Sequence, residues 1–366
     1  MLPQLSRYII EKWDILFPNV NRPNKLNYLG IAGSVEGGTT TFLAFSDENR
    51  KPVFVVRIAR NPNIINLIFA ERDTLLFLHS LGSFLKHSIP KVILCKKIAG
   101  STVLVESVLD GKPMMVIMAP DGLPEVENSK TNINLAKDWL VNLNNETKET
   151  RIIVPNLFEY YVTRQIEKFQ TIFLLSKDEQ DYLKRILGIM KGLLYRKIDL
   201  FLSHGDFCRH NILASKNKTG YNIGVIDWAF SKRANLPLHD FLFFLTTYFL
   251  QVRRKNYGIT GYIKAFEDTF FNENNYSDLV KQCLTEYCQE LKIDLSLTKP
   301  FFTMFLIDKA ISEYQKLLSI SERGFIPGFG IYSESNKNKS YRDALKEQMW
   351  SLFFRTLVRV QERYIL

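Results

Sequence analysis

Three short runs of apolar and β-branched residues lie near the start of the chain. They are LNYLGIA (26–32), TTTFLAFS (39–46) and PVFVVRIA (52–59). The glycine-bearing GSVEGG and the polar DENRK separate them. Short runs bounded by Gly, Asn and Asp are typical of strands, so the pattern predicts an antiparallel meander of three strands.

A helical pattern follows the third strand. In the stretch 64–82 apolar residues recur three and four positions apart, and Gly82 ends the pattern. KVILCKK (91–97) and TVLVESV (102–108) then predict two further strands. With a short helix within residues 1–25, the first 109 residues are predicted to form a small lobe with five strands and one helix after the third strand.

Long helical patterns dominate after LDGKPM (109–114). We expect helices in four segments in particular: 157–175, 178–196, 277–292 and 300–319. Two strand-like exceptions interrupt them, LFLSHG (200–205) and NIGVIDWA (222–229). The pattern predicts an α+β chain with an N-terminal domain of residues 1–109 and a helical domain of residues 110–366.

Composition changes this picture little. Of 366 residues, 46% are apolar and 23% are charged, an ordinary balance for a globular protein. The net charge of +10 is scattered, and its densest run, QVRRKNY (251–257), lacks the interleaved aromatic residues of a single-strand nucleic-acid groove. We therefore expect a solvated surface there and no nucleic-acid partner.

The cysteines and the N-terminus indicate a reducing compartment. Cys95, Cys208, Cys283 and Cys288 form no CxxC pair, so reduced thiols are expected rather than a disulfide framework. Charges interrupt the apolar residues of the first 18 positions, which excludes a signal-peptide core, and no apolar run has membrane-spanning length. We expect a cytoplasmic location.

Candidate chemistry is concentrated in LSHGDFCRHNIL (202–213), where five polar residues stand between apolar ends. Burying polar side chains costs free energy unless they find partners. His204, Asp206 and Asn211 have the spacing H-x-D-x-x-x-x-N, and Asp227 follows 21 positions after Asp206, at the end of an apolar strand. This is the order of a kinase catalytic loop and metal-binding acid. One carboxylate would face a hydroxyl, while the amide and second carboxylate would face a metal on nucleotide phosphates.

SHGDFCRHNIL…GVIDWAF…PLHDFLFFL resembles the aminoglycoside phosphotransferase and choline kinase group of kinase-like enzymes, over about residues 26–245. HGD replaces the HRD of protein kinases, and IDW replaces DFG. The resemblance implies a bilobal protein kinase-like fold and the use of ATP (or GTP) and Mg²⁺. The implied acceptor is a hydroxyl of a small molecule: an aminoglycoside, a sugar, an amino alcohol or similar.

Roles for individual residues follow from the same resemblance. Asp206 is implied as the catalytic base, and Asn211 and Asp227 as the magnesium ligands. His204 is expected to position the loop by hydrogen bonding. Asp240, in LPLHDF, is expected to brace it.

The nucleotide site is expected in the N-terminal lobe. GSVEGGTT lacks the lysine of a Walker loop and lies between two strands, so it is interpreted as a flap over the phosphates. Arg57 on the third strand is expected to bind the phosphates and Glu71 to be its ion-pair partner. Backbone groups near Glu106, Ser107 and Val108 are expected to bind adenine. The flap residues expected at the phosphates are Gly33, Ser34, Gly37, Gly38 and Thr39.

Alternatives remain open from the sequence. A kinase-like protein that binds nucleotide without catalysis and an atypical protein kinase share most of these features. A hydrolase metal cluster is the third alternative, since imidazole and carboxylate suit zinc or iron. Its ligands would come from His204, Asp206, His210, Asp227 and His239. Acids that could face a polycationic acceptor are Glu286, Glu290, Asp308 and Glu313.

Overall fold

The structure is a computed structural model that describes most of the chain. The described residues are 1–32, 39–47, 50–59, 64–82, 84–118, 126–218, 220–253, 258–321 and 347–361. The chain divides into two units. The first comprises Met1–Met114, His204–Asp206 and His210–Ser231, and the second comprises Met115–Ser203, Phe207–Arg209 and Lys232–Leu366. These units follow proximity rather than chain order, so the domain boundary expected after residue 109 stays a prediction.

A five-stranded antiparallel sheet forms the centre of the first unit. Its strands have the order β1-β2-β3-β5-β4. The bounds are β1 Leu26–Ala32, β2 Thr39–Ser46, β3 Pro52–Ala59, β4 Val92–Ile98 and β5 Ser101–Ser107. All neighbouring pairs are antiparallel, which includes the meander of the first three strands expected from the sequence.

Alternation along the strands gives the sheet two different faces. Val56 and Ile58 of β3 and Val103 and Val105 of β5 pack into one apolar cluster. The helices α1 (Leu2–Glu11) and α2 (Trp13–Leu16) contribute Leu5, Ile9 and Trp13 to that cluster. On the other face, Ala59 and Leu104 contact Ile68 of α3 (Ile65–Ser80). Arg57 and Glu106 therefore lie on the α3 face of the sheet.

A second, three-stranded sheet in this unit has the order β10-β9-β6. It consists of β6 (Lys112–Pro113), β9 (Ile212–Asn217) and β10 (Gly220–Val225). The Val225 N–H donates a hydrogen bond to the Ser88 carbonyl at 2.7 Å.

The second unit is mostly helical, with one small sheet of order β11-β8-β7. Its strands are β7 Glu149–Ile152, β8 Lys197–Ser203 and β11 Lys232–Asn235. The helices are α4 Met114–Met118, α5 Val126–Thr147, α6 Pro155–Phe158, α7 Arg164–Ile172, α8 Lys177–Lys191, α9 His239–Arg253, α10 Gly258–Phe270, α11 Asn275–Glu290, α12 Thr298–Ser321 and α13 Met349–Val360.

The helical segments predicted from the sequence are present, and the α+β class is confirmed. A π-helical turn at Glu159–Thr163 interrupts the first of them. Strands β6, β7, β9 and β11 are additional to the two strand-like segments expected after residue 109. β6, β7 and β11 have only two to four residues and are mostly polar, and β9 is apolar only in its first half, so no strand pattern reveals them. Within the described part of the chain, no helix has the length and apolarity needed to cross a membrane.

Helix α11 begins at a capping box. The Asn274 side chain accepts hydrogen bonds from the N–H groups of Tyr276 (2.9 Å) and Ser277 (3.2 Å). We expect Asn274→Ala to lower the free energy of unfolding by about 1–2 kcal/mol, because these N–H groups lose their acceptor. Asn275→Ala, one residue further and exposed, should change it by about 0.5 kcal/mol or less. Urea unfolding measures both, and equal losses would contradict the capping assignment.

Candidate active site

The end of β8 leads directly into the predicted catalytic loop. His204 is fully buried, and its imidazole Nε2 lies 3.0 Å from the Ile226 carbonyl oxygen. Its Nδ1 accepts a hydrogen bond from the Asp206 N–H at 3.2 Å, which makes Nε2 the donor to Ile226. His204 thus joins the start of the loop to the residue that precedes Asp227. Both ring nitrogens are engaged in these contacts, which agrees with the expectation that His204 would position the loop by hydrogen bonding.

Asn211 closes the other end of this loop. Its amide nitrogen Nδ2 donates to the Asp206 backbone carbonyl and to the Asp206 carboxylate oxygen Oδ2, each at 2.9 Å. The Asn211 carbonyl accepts a hydrogen bond from the Ile226 N–H at 3.0 Å. Asp206, Asn211 and the strand end before Asp227 therefore form one hydrogen-bonded group. The Asn211 amide oxygen Oδ1 takes part in none of these bonds.

Gly205 is required by the geometry of this loop. Its φ of +82° lies in the left-handed region, and a Cβ added there would lie 2.2 Å from the Phe230 carbonyl oxygen. Any other residue would meet both backbone strain and a clash with main-chain atoms. The close approach of the Phe230 main chain thus explains why glycine stands between His204 and Asp206.

Asp227 stands at a left-handed turn, with φ 71° and ψ 64°. Such a conformation costs a non-glycine residue about 1–3 kcal/mol and is found most often at functional sites. The following residue, Trp228, is fully buried, and its N–H donates to Glu71 Oε1 at 3.0 Å. The turn ends the apolar strand and leaves the Asp227 side chain 34% exposed.

Arg57 is surrounded by three carboxylates. Its guanidinium lies 2.9 Å from Asp227 Oδ1, 3.2 Å from Glu106 Oε2 and 3.4 Å from Glu71 Oε1. Arg57, Glu71 and Glu106 are all buried. Burial opposes the charged guanidinium, but the attraction of Glu71, Asp227 and Glu106 outweighs it and raises the pKa of Arg57. The cluster ties β3, β5 and α3 to the turn at Asp227.

The environment favours the charged form of Arg57 but disfavours the charged forms of the two buried glutamates. Burial raises the pKa of Glu71 well above its usual range, although Arg57 lowers it. Burial also raises the pKa of Glu106 against the effect of Arg57. Within the described part of the chain, Glu106 Oε1 is buried without a hydrogen-bond partner. Burial thus disfavours the charged form of both glutamates, even with the guanidinium beside them.

The sequence does not predict the contact of the Glu106 side chain with Arg57. Only its backbone was expected to matter, in binding adenine. The alternation of TVLVES contains the relevant signal, because it places Glu106 on the same sheet face as Leu104. β5 pairs with β3 in the register Val55↔Glu106 and Arg57↔Leu104, so Glu106 lies diagonally opposite Arg57.

The expected nucleotide-binding residues are described only in part. Thr39 begins β2 and pairs with Ala59. The Ser107 N–H donates to the Lys91 carbonyl at 2.9 Å, and Val108 lies just beyond the end of β5. The adenine-binding role expected of this segment stays a prediction. The flap residues Gly33, Ser34, Gly37 and Gly38 lie outside the described residues.

The donor atoms suit Mg²⁺. Magnesium prefers oxygen ligands and is usually bound through one or two protein groups together with phosphates and water. The Asp227 carboxylate and the Asn211 amide oxygen are such donors. No three His, Cys, Asp or Glu side chains are grouped as metal ligands anywhere in the described ranges. The hydrolase cluster is therefore not supported.

Acidic side chains of the second unit are engaged with neighbouring groups. Glu286 and Glu290 lie 2.8 and 3.2 Å from the Lys137 ammonium. Asp308 lies 3.0 Å from His239 Nε2 and 2.9 Å from Lys232 Nζ. These ion pairs join neighbouring elements of the second unit. They give no support for the binding of a polycationic phosphoryl acceptor by Glu286, Glu290 or Asp308.

Comparison with known proteins identifies the family. Residues 36–257 match the sequence model of the Phosphotransferase enzyme family. Because this match spans more than half of the chain, the chain belongs to that family. The element order and this membership together give the protein kinase-like α+β fold expected from the sequence. No curated protein matches the chain in sequence.

Two solved structures illustrate the similarity. The GDP complex of an aminoglycoside 2′-phosphotransferase-IIIa variant is 14% identical, with a TM-score of 0.48, over 98% of this chain and 97% of that one. Aminoglycoside phosphotransferase APH(3″)-Id from Streptomyces rimosus, with ADP and streptomycin, is 13% identical, with a TM-score of 0.46. That match covers 82% of this chain and 97% of the other. The family match, rather than these likenesses, supports the conclusions below.

The charge cluster predicts a pH-dependent effect of Arg57→Met. Without the guanidinium, two buried carboxylates lose their counterion, and we expect a loss of about 3–5 kcal/mol in unfolding free energy near neutral pH. Raised carboxyl pKa values in the folded state mean that stability falls as pH rises from the ordinary carboxyl pKa through the folded value. The loss should therefore be smaller at about pH 5 than at about pH 8.

Urea unfolding at both pH values measures this effect. Arg164→Met is the control, because the exposed Arg164 pairs with Glu159 at 3.0 Å and should cost no more than about 1 kcal/mol. A loss for Arg57→Met that is independent of pH would contradict the charge assignment.

The contact at Gly205 predicts that Gly205→Ala lowers the free energy of unfolding by more than about 2 kcal/mol, since strain and a main-chain clash add. Gly188 on α8 is the matched control, because a Cβ there meets nothing within 4 Å. Gly188→Ala should be neutral or stabilise by up to about 1 kcal/mol. Thermal and urea unfolding of the two variants compare them, and similar midpoints would refute the required role of Gly205.

Proposed function

We propose that the chain transfers the γ-phosphoryl group of a nucleoside triphosphate, ATP or GTP, to a hydroxyl group of a small molecule. The observation that carries this proposal is the hydrogen-bonded group of Asp206, Asn211 and the strand end before Asp227, in a chain that belongs to a phosphotransferase family. Acceptors consistent with the family are an aminoglycoside, a sugar, an amino alcohol or a similar molecule.

Asp206 is the proposed catalytic base. The Asn211 amide and the His204 ring fix the Asp206 main chain, and Asn211 also holds one carboxylate oxygen. A carboxylate held in this way can accept the proton of an incoming hydroxyl and align its oxygen with the phosphorus atom. Phosphoryl transfer depends mainly on positioning and electrostatic stabilisation, so a rigid base is what the reaction requires.

Asn211 and Asp227 are the proposed Mg²⁺ ligands. When bound, the ion offsets the charge of the β- and γ-phosphates and orients them. Arg57 is proposed to contact the phosphates. Arginine suits that task because it stays charged and offers a planar fork of donors. Its three carboxylate contacts hold the guanidinium at a fixed position, and Glu71 also fixes the turn after Asp227 through the Trp228 N–H.

Two substitutions test these roles. We expect Asp206→Asn to lower phosphoryl transfer by about 10²–10⁴-fold while nucleotide binding is retained, because only the base is lost. Asp227→Ala should weaken magnesium-dependent nucleotide binding and leave magnesium-independent binding little changed. Asp181→Asn, on the exposed surface of α8, is the control and should match the unaltered protein in both measurements. Wild-type transfer rates in both site variants would overturn the assignment.

The acceptor is identified by mass spectrometry of products after incubation with nucleotide, Mg²⁺ and a metabolite extract. A small product heavier by one phosphoryl group supports the proposal. A phosphorylated protein instead would indicate a protein kinase. Nucleotide binding with no transfer to any acceptor would indicate a binding protein without catalysis.

A further inference from the structure

The three residues that follow Asp206, Phe207–Arg209, belong to the second, mostly helical unit. Phe207 is fully buried, and its ring stacks on Trp139 of α5 with centroids 5.5 Å apart and an interplanar angle of 14°. A second aromatic contact joins Phe207 to Phe244 of α9, at 5.9 Å between centroids. The residue that follows the proposed base is therefore held between two helices.

Arg209, two positions further, is also buried in this unit. Its guanidinium carbon lies 5.4 Å from the centre of the Tyr248 ring on α9. The Met115 N–H donates to the Arg209 carbonyl at 3.4 Å. Burial lowers the pKa of Arg209 below its usual value. Placing a cation over an aromatic face in the interior costs desolvation, and the ring quadrupole offsets part of that cost.

Hydrogen bonds fix the Tyr248 ring in turn. The Asn132 amide donates to the Tyr248 hydroxyl at 2.8 Å, and the hydroxyl donates to Ser129 Oγ at 3.4 Å. Asn132 and Trp139 lie seven positions apart on α5, which puts them on one face of the helix. The side chains that contact Phe207 and Arg209 therefore belong to the same two helices, α5 and α9.

We propose that Trp139 and Tyr248 are positioning residues for phosphoryl transfer, which fix the catalytic loop through Phe207 and Arg209. This inference rests on the proposed function, because it gives Asp206 the role of base. Asp206 is one peptide bond from Phe207, so movement of Phe207 displaces the base. Misplacement of a catalytic group by about 1 Å can cost about 100-fold in rate. Neither helix residue needs to touch nucleotide or acceptor for this effect.

The test compares two buried tyrosines. Tyr248→Leu removes the ring under Arg209, and we expect kcat to fall about 10- to 100-fold while the nucleotide Kd stays within about twofold. Tyr248→Phe keeps the ring and should retain most of the kcat. Tyr287→Leu is the matched control. Tyr287 is buried on α11, accepts a hydrogen bond from Asn144 of α5 and stacks on Phe241 of α9. Neither of these two contacts involves residues 203–212.

The control should lose stability, measured as Tm, to a similar extent, with kcat unchanged. Equal kcat losses in Tyr248→Leu and Tyr287→Leu would overturn the inference and indicate general destabilisation. Should Tyr248→Leu not fold, Arg209→Lys serves in its place, since it keeps the charge but loses the planar contact. Unchanged kcat in that variant would equally overturn it.

Hydrogen–deuterium exchange separates this inference from the proposed function. Peptides covering 203–212 should exchange faster in Tyr248→Leu than in Tyr287→Leu, and this readout needs no turnover. If the protein transfers no phosphoryl group but the two variants differ in exchange in this way, the proposed function is refuted and the anchoring of the loop is supported. If the wild-type protein is active but the two variants show identical exchange, only the anchoring of the loop is refuted.

Discussion

One buried arginine with three carboxylate neighbours holds the candidate site together. Arg57 connects a sheet strand, the neighbouring strand through Glu106, the helix through Glu71 and the loop end through Asp227. The two buried glutamates would be costly to ionise alone, and the guanidinium offsets part of that cost. The arrangement is stable only because the elements meet at that point, so the fold and the charge cluster depend on each other.

The same cluster links structure to chemistry. Glu71 binds both Arg57 and the main chain next to Asp227, so a helix of the first unit sets the direction of a proposed magnesium ligand. His204 and Asn211 do the same from the other side through Ile226. The site is thus defined by main-chain hydrogen bonds and a buried ion network rather than by exposed side chains.

The sequence predicts much of this arrangement, and the exceptions have physical reasons. The strands around Arg57 are short apolar runs bounded by turn residues, so their approximate bounds follow from the sequence. The spacing of Asp206, Asn211 and Asp227 indicates the loop. The role of the Glu106 side chain needs the register between β3 and β5, which depends on contacts distant in sequence. Strands such as β11 are four polar residues long, and tertiary pairing rather than propensity forms them.

Gly205 also limits how the motif can change. Protein kinases carry arginine at the position between the histidine and the aspartate of this loop. Here the main chain of Phe230 occupies the volume that the first carbon of any such side chain would need. A single codon change therefore cannot convert this loop to the protein-kinase form. Residues 228–230 would have to move first, and that turn is fixed by the buried Trp228. In this chain, a side chain at position 205 therefore requires a compensating change in the turn at 228–230.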